Sequence, residues 1–166
     1  MQTDMQSIAT AAPRPGAAEQ PLLDVRNLHT VFQKDDTQVH AVNDVSFDVR
    51  EGEIVAIVGE SGSGKSITAM SLLRLIPSPP GQIVGGQVHF QGEDLMHLDD
   101  EGIRQRRGRD IAIIFQEPMT SLNPSLSIGQ QLAEPLRVHG SVPKEKVRER
   151  CLELLRQVRQ IGRAHV

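Results

Sequence analysis

The 166 residues suffice for one ordinary domain with a real core. A net charge of −3 and an aromatic content of 2%, with no Trp or Tyr, exclude the basic footprint and base-stacking platforms of a nucleic-acid binder. The single cysteine, Cys151, excludes an internal disulfide and fits a reducing compartment, and no apolar run is long enough to span a bilayer.

Residues 1–20 are rich in Ala, Pro and Gln, carry Asp4 and lack the apolar region of a signal peptide, which predicts a disordered leader. Leu22 to Gln33 and Val39 to Val49 read as two strands joined by a turn over Lys34, Asp35 and Asp36. Val45, Phe47 and Val49 alternate with Ser46 and Asp48, so one face is covered and the other is not. Glu51-Gly52-Glu53 turns into Ile54-Val55-Ala56-Ile57-Val58, an unbroken apolar run expected of a strand buried on both faces.

The next eight residues, Gly59-Glu60-Ser61-Gly62-Ser63-Gly64-Lys65-Ser66, fit G-x-x-x-x-G-K-[ST], the P-loop pattern. Backbone N–H groups of such a loop turn inward as an anion nest, and the following helix points its positive end at the same place. The glycines permit the tight turn, Lys65 is expected to reach the β- and γ-phosphates, and the Ser66 hydroxyl is expected to bind Mg²⁺. Ala69, Leu72, Leu73 and Ile76 share one helical face, and Pro77 stops the helix.

Beyond Pro79-Pro80 comes Gly85-Gly86, then a short strand through Val88 and Phe90, closed by Gly92-Glu93-Asp94-Leu95. Asp99 to Gly108, with Arg104, Arg106 and Arg107, reads as a solvated helix face. Asp110 to Phe115 is a second apolar strand, ending at Gln116. Ile128, Leu132 and Leu136 predict a helix that Pro135 distorts, and Ser141-Val142-Pro143 opens an amphipathic helix from about Lys144 to Gln157. Cys151 shares a face there with Val147, Leu154, Leu155 and Val158, as a buried structural thiol does.

Val58-Gly59-Glu60-Ser61-Gly62-Ser63-Gly64-Lys65-Ser66, taken with Ile113-Ile114-Phe115-Gln116-Glu117-Pro118-Met119-Thr120-Ser121-Leu122-Asn123-Pro124, closely resembles the ATP-binding subunits of ABC transporters. The nearest branch is the di- and oligopeptide importers, including the glutathione importer, and the resemblance runs from about Leu22 to Gln157. It implies an α/β fold of the P-loop NTPase class: an antiparallel β subdomain, part of a RecA-like core and the start of a helical subdomain. It implies ATP and Mg²⁺ as cofactors and Gln116 as the Q-loop glutamine, touching Mg²⁺ and the attacking water. A carboxamide suits that task, with an acceptor for the metal and a donor for oxygen; without the resemblance Gln116 reads as a residue that ends a strand. Phe32 aligns with the family's adenine-stacking aromatic, beside the equally open reading of a core Phe. Pro118 to Pro124 corresponds to the place where a membrane subunit's coupling helix docks.

The implied partners are integral-membrane permease subunits, a second ATP-binding domain and, indirectly, an external solute-binding protein, with the chain peripheral on the cytoplasmic face of the cell membrane. The family's signature motif, Walker B strand, D-loop and switch histidine have no counterpart after Gln116, so residues 21–160 are expected to be the N-terminal part of the ATP-binding domain. Residues 161–166 depart from the family pattern and resemble translated sequencing adapter, a non-native tail. The expectations that follow are no ATP turnover by this chain alone and an exposed apolar edge at Ile54 to Val58. Two other classes stay open: a small P-loop GTPase or nucleotide kinase, for which Asp99-Asp100-Glu101-Gly102 fits D-x-x-G, and a non-catalytic nucleotide-binding module.

Overall fold

The structure is a computed structural model and describes residues 20–34, 36–116, 121–140 and 142–159. The expected leader, the tail at 161–166 and Glu117 to Thr120 lie outside the described residues, as do Asp35 and Ser141. The chain divides into two units, Met1–Arg104 and Gln105–Val166.

The first unit is built on one antiparallel sheet in the order β2-β1-β3-β4. Strands β1 (Leu23–Lys34) and β2 (Thr37–Val49) form the expected hairpin, with Lys34 opposite Thr37. Strand β3 (Gly81–Phe90) pairs with the other side of β1, and the two-residue β4 (Glu93–Asp94) closes the sheet. Strand β3 is longer than its sequence suggested, because Gly85-Gly86 lies inside it and does not precede it. The reason is in β1, where the register slips between Val25 and Leu28. Val25 and Leu28 are both fully buried with exposed Arg26 and Asn27 between them, a spacing of three that strict alternation forbids and a bulge supplies. Gly86 faces that bulge at φ +100°, and a Cβ there would come within 2.6 Å of the Asn27 carbonyl and the Leu28 Cα. Glycine is required at this position.

Helix α1 (Lys65–Leu72) follows the glycine loop and ends at the Leu73 cap, a turn earlier than Pro77. Helix α2 (Asp100–Arg106) begins where the Asp99 carboxylate accepts from the Gly102 amide at 2.7 Å and buries Ile103. Asp99-Asp100-Glu101-Gly102 is thus a capped helix start. Val25, Leu28, Val42, Val45, Leu73, Val88, Leu95 and Ile103 make the core of this unit.

Two expected strands are absent. Ile54 to Val58 forms no ladder, and Ile54 and Val58 are 96% and 82% exposed. Residues 112–115 likewise join no sheet; only Ile111 bridges to Arg107, and Ile114 is 97% exposed. An apolar run supplies burial, but a strand also needs a neighbour for its N–H and C=O groups. Among the described residues no segment pairs with either run, so the expected antiparallel subdomain is formed and these two runs stand outside its sheet. The expected apolar exposure at Ile54 to Val58 is present, but on a segment that forms no strand and so has no sheet edge.

The second unit holds a helical pair. Helix α3 (Ile128–Val138) starts with a capping box: Ser127 Oγ accepts from the Gln130 amide at 3.2 Å, and Gln130 Oε1 accepts from the Ser127 amide at 2.9 Å. Pro135 sits inside the helix, which continues three residues past it. A 3₁₀ turn (Lys144–Lys146) leads into helix α4 (Val147–Gln157). Ala133, Val147 and Cys151 are buried together with Leu132 and Leu136 against them, as the period of α4 predicts for the thiol.

Candidate functional site

The glycine loop is shaped by its own backbone. Gly62 and Gly64 adopt φ +83° and +85°, and the Ser63 amide donates back to the Glu60 carbonyl at 3.2 Å. Gly64 is the N-cap of α1 and offers no side chain to cap it. Its carbonyl accepts from the Thr68 amide at 2.8 Å and from the Thr68 hydroxyl at 3.0 Å. The amides of Lys65, Ser66 and Ile67 precede that first intrahelical bond, so they are donors the helix itself does not use. A helix end of this kind, set behind two left-handed glycines, can receive an anion.

Position is fixed at two points. A Cβ on Gly64 would lie 2.2 Å from the Ala41 carbonyl oxygen, so the loop rests directly on β2. At the other end of α1 the buried hydroxyls of Thr30 and Ser71 meet at 2.8 Å. A Cβ on Gly59 would come 2.6 Å from Ser63 Oγ, which closes the loop on itself.

The Lys65 ammonium donates to the Gly59 carbonyl at 2.9 Å, to the Glu60 carbonyl at 2.7 Å and to Ser63 Oγ at 3.4 Å. It therefore spans the mouth of the loop, at the place where a multiply charged oxyanion gains most from a cation. Ser66 is exposed beside it. Ala41, Gly62, Ser63, Gly64, Ser66 and Ile67 line, with Lys65, a hollow of about 180 Å³. Pockets for whole drug-sized ligands run to about 300–1,000 Å³, so this hollow suits one end of a nucleotide.

The residues present fit a triphosphate: free amides, a helix N-terminus and one ammonium converge. For Mg²⁺ the protein's own contribution in this loop is the Ser66 hydroxyl. Among the described residues no group of three or more His, Cys, Asp or Glu side chains could hold a metal. A hydroxyl plus phosphate oxygens and water is the usual environment of a nucleotide-bound Mg²⁺.

Phe32 is half-buried at the end of β1, opposite Val39 and Gly81. Its Cε1 would lie 2.9 Å from a Cβ on Gly81, so the ring covers that glycine; it does not line the hollow. Gln116 is exposed and belongs to the second unit. In that unit Leu122, Asn123, Pro124, Leu126, Gln131 and Leu132 border a hollow of about 620 Å³. Gln131 staples its rim, accepting from the Asn123 amide at 2.9 Å and donating to the Asn123 and Leu126 carbonyls at 2.9 and 3.1 Å. Ala41, Ile67, Thr30 and Ser71 carry no sequence signal for this site. They become visible only when the strands and α1 are in place.

A family model described as "ABC transporter" matches residues 42–165. Among curated proteins the chain is 48% identical over 138 residues to the "Probable peptide ABC transporter ATP-binding protein y4tR" of Sinorhizobium fredii, covering 83% of this chain and 41% of that protein. It is 44% identical over 137 residues to the "Oligopeptide transport ATP-binding protein OppD" of Bacillus subtilis, covering 82% and 38%. Among solved structures it superposes with a TM-score of 0.68 and 25% identity on the ATP-binding cassette MJ0796, dimeric, in a post-hydrolysis state bound to ADP and phosphate, covering 82% of this chain and 57% of that one. The chain spans about two fifths of the length of these two curated relatives.

Proposed function

The chain belongs to the ABC transporter ATP-binding family, and on that premise we propose that the whole protein is the ATP-binding subunit of an importer, coupling ATP binding and hydrolysis to uptake of peptides or a related solute such as glutathione. The observation that carries the reading is the loop at 59–66: two left-handed glycines, the free first-turn amides of α1 and the Lys65 ammonium converge on one hollow. Relatives named for peptide and oligopeptide transport support the solute class.

Each residue then has a task. The free amides of Lys65, Ser66 and Ile67 hold the β- and γ-phosphate oxygens. Lys65 exchanges the Gly59 and Glu60 carbonyls for phosphate, which is a gain because a charged acceptor binds an ammonium more strongly than a neutral one. Glu60 and Ser61, both exposed, form the outer rim. The Ser66 hydroxyl would hold Mg²⁺, which would supply charge neutralisation on a transferring phosphoryl group, and the family resemblance gives the Gln116 carboxamide a role toward the same ion. Phe32, half-buried at a strand end, supplies a face for adenine.

In the same reading residues 21–160 are the N-terminal part of the ATP-binding domain. The first unit holds nucleotide and the second begins the helical subdomain. The hollow bordered by Leu122 and Leu126, both exposed, receives a segment of a permease subunit. A second ATP-binding domain completes the machine at the cytoplasmic membrane surface, and an external binding protein delivers solute. Among the described residues no helix is long and apolar enough to cross a membrane.

A titration panel of ATP, GTP and inorganic phosphate with Mg²⁺ tests the reading. Binding of ATP through the phosphates, lost on Lys65→Ala, is the expected result; a strong guanine preference would move the protein to the GTPase class. The D-x-x-G stretch gives that class no support, since Asp99 is occupied in capping α2.

A further inference from the structure

Thr30 and Ser71 are polar side chains at 0% exposure, and their hydroxyl oxygens are 2.8 Å apart. Ser71 Oγ also lies 2.7 Å from the Ile67 carbonyl, which can only accept. Ser71 therefore donates to Ile67, and Thr30 donates to Ser71. The relay runs from the central strand of the sheet to the first turn of α1. Ile67 lines the hollow over the glycine loop, and its amide is one of the donors the helix leaves free.

The strand goes out of its way to deliver this hydroxyl. Counting by twos from buried Val25 leaves Thr30 facing outward. The register of β1 instead shifts on both sides of Thr30 against β2, and just before it against β3. Across these irregularities Leu28, Thr30 and Val31 are all buried. A buried hydroxyl is costly unless it is bonded, so an apolar residue would serve the sheet better. The bonding partner of Thr30 sits on the helix that carries the phosphate cradle. That helix is only eight residues long and begins with a glycine that caps nothing.

We propose that Thr30 is a positioning residue for the phosphate cradle, acting through Ser71 on the first turn of α1. The inference rests on the reading of residues 59–66 as a nucleotide site. Gly64 pressed on Ala41 fixes the front of the helix, and the hydroxyl relay fixes its rotation and height. Without the relay the free amides and Lys65 no longer converge on one point, so affinity falls although no group that touches phosphate has changed.

The test compares Thr30→Val, which keeps the shape and deletes the donor, with Thr30→Ser, which keeps the donor, and with Ser71→Ala. Each full chain is titrated calorimetrically with magnesium–ATP, and folding is checked by circular dichroism. Thr30→Val and Ser71→Ala are expected to bind about five- to tenfold more weakly, and Thr30→Ser within about twofold of the parent. If Thr30→Val does not fold, Ser71→Ala, which places a good helix former in the helix, decides alone. Unchanged affinity in the folded variants, even with a lower Tm, reduces Thr30 to a structural residue and overturns the inference. A parent chain that binds no magnesium–ATP refutes the nucleotide reading itself, a distinct outcome that takes this inference with it.

Discussion

Gly62 and Gly64 have nearly the same backbone angle but opposite surroundings, and replacing each by alanine separates two costs. Both sit near φ +85°, where an L-residue pays about 1–2 kcal/mol. At Gly62 a Cβ meets nothing within 4 Å, so that is the whole penalty. At Gly64 it would lie 2.2 Å from the Ala41 carbonyl oxygen, and two backbones must part by about 1 Å. Overpacking of that kind adds about 1–3 kcal/mol, for a total of about 2–5 kcal/mol. That is a large share of the roughly 5–15 kcal/mol that holds a domain together. With no Trp or Tyr in the chain, unfolding is followed by circular dichroism in urea. Gly64→Ala is expected to lie below Gly62→Ala by about 1–3 kcal/mol and to lose magnesium–ATP affinity more than tenfold. Equal losses for the two variants would show that the loop does not rest on β2.

Three further outcomes follow from other parts of the molecule. Ile54→Glu with Val58→Glu charges an apolar segment that joins no ladder, and light scattering of the purified chain is expected to fall; unchanged scattering would clear that segment as the sticky surface. Cys151→Ser buries a hydroxyl at a site with no exposure and is expected to destabilise the α3–α4 pair by about 1–3 kcal/mol in urea, while the folded parent resists a thiol reagent. Burial raises the affinity of the Asp94 carboxyl for its proton, but the Met96 amide and His97, with His89 nearby, outweigh it and hold the group below the ordinary Asp value. A depressed carboxyl contributes stability above its unfolded pKa and loses it as pH falls through the folded pKa, so Asp94→Asn is expected to flatten the acid limb of the stability curve.

Much of this was legible in the residues because it depends on local pattern. The β1–β2 hairpin, the glycine loop, the start of α1 and the buried face of α4 all follow from alternation, turn residues and helical period. What failed depends on partners distant in sequence. Ile54 to Val58 has the composition of a central strand, but composition says nothing of whether a neighbour is there to pair with it. Gly85-Gly86 reads as a break, and only the bulge of β1 shows why a strand runs through it. Thr30 reads as an ordinary strand threonine until Ser71 is found 2.8 Å away.

Gln116 marks the same boundary for function. Its chemistry suits a metal and a water, but its exposed place in the second unit carries no geometry with the loop. The glycine loop needs no such help, because its donors and its cation are contiguous in sequence and meet at one hollow.

The most direct test is magnesium–ATP affinity of the parent chain against Lys65→Ala, measured by calorimetry at fixed salt. Loss of an ammonium that bridges loop and phosphate predicts at least a tenfold fall in affinity, with the sheet's circular dichroism unchanged. Equal affinity of the two proteins would contradict the assignment of residues 59–66 as the nucleotide site.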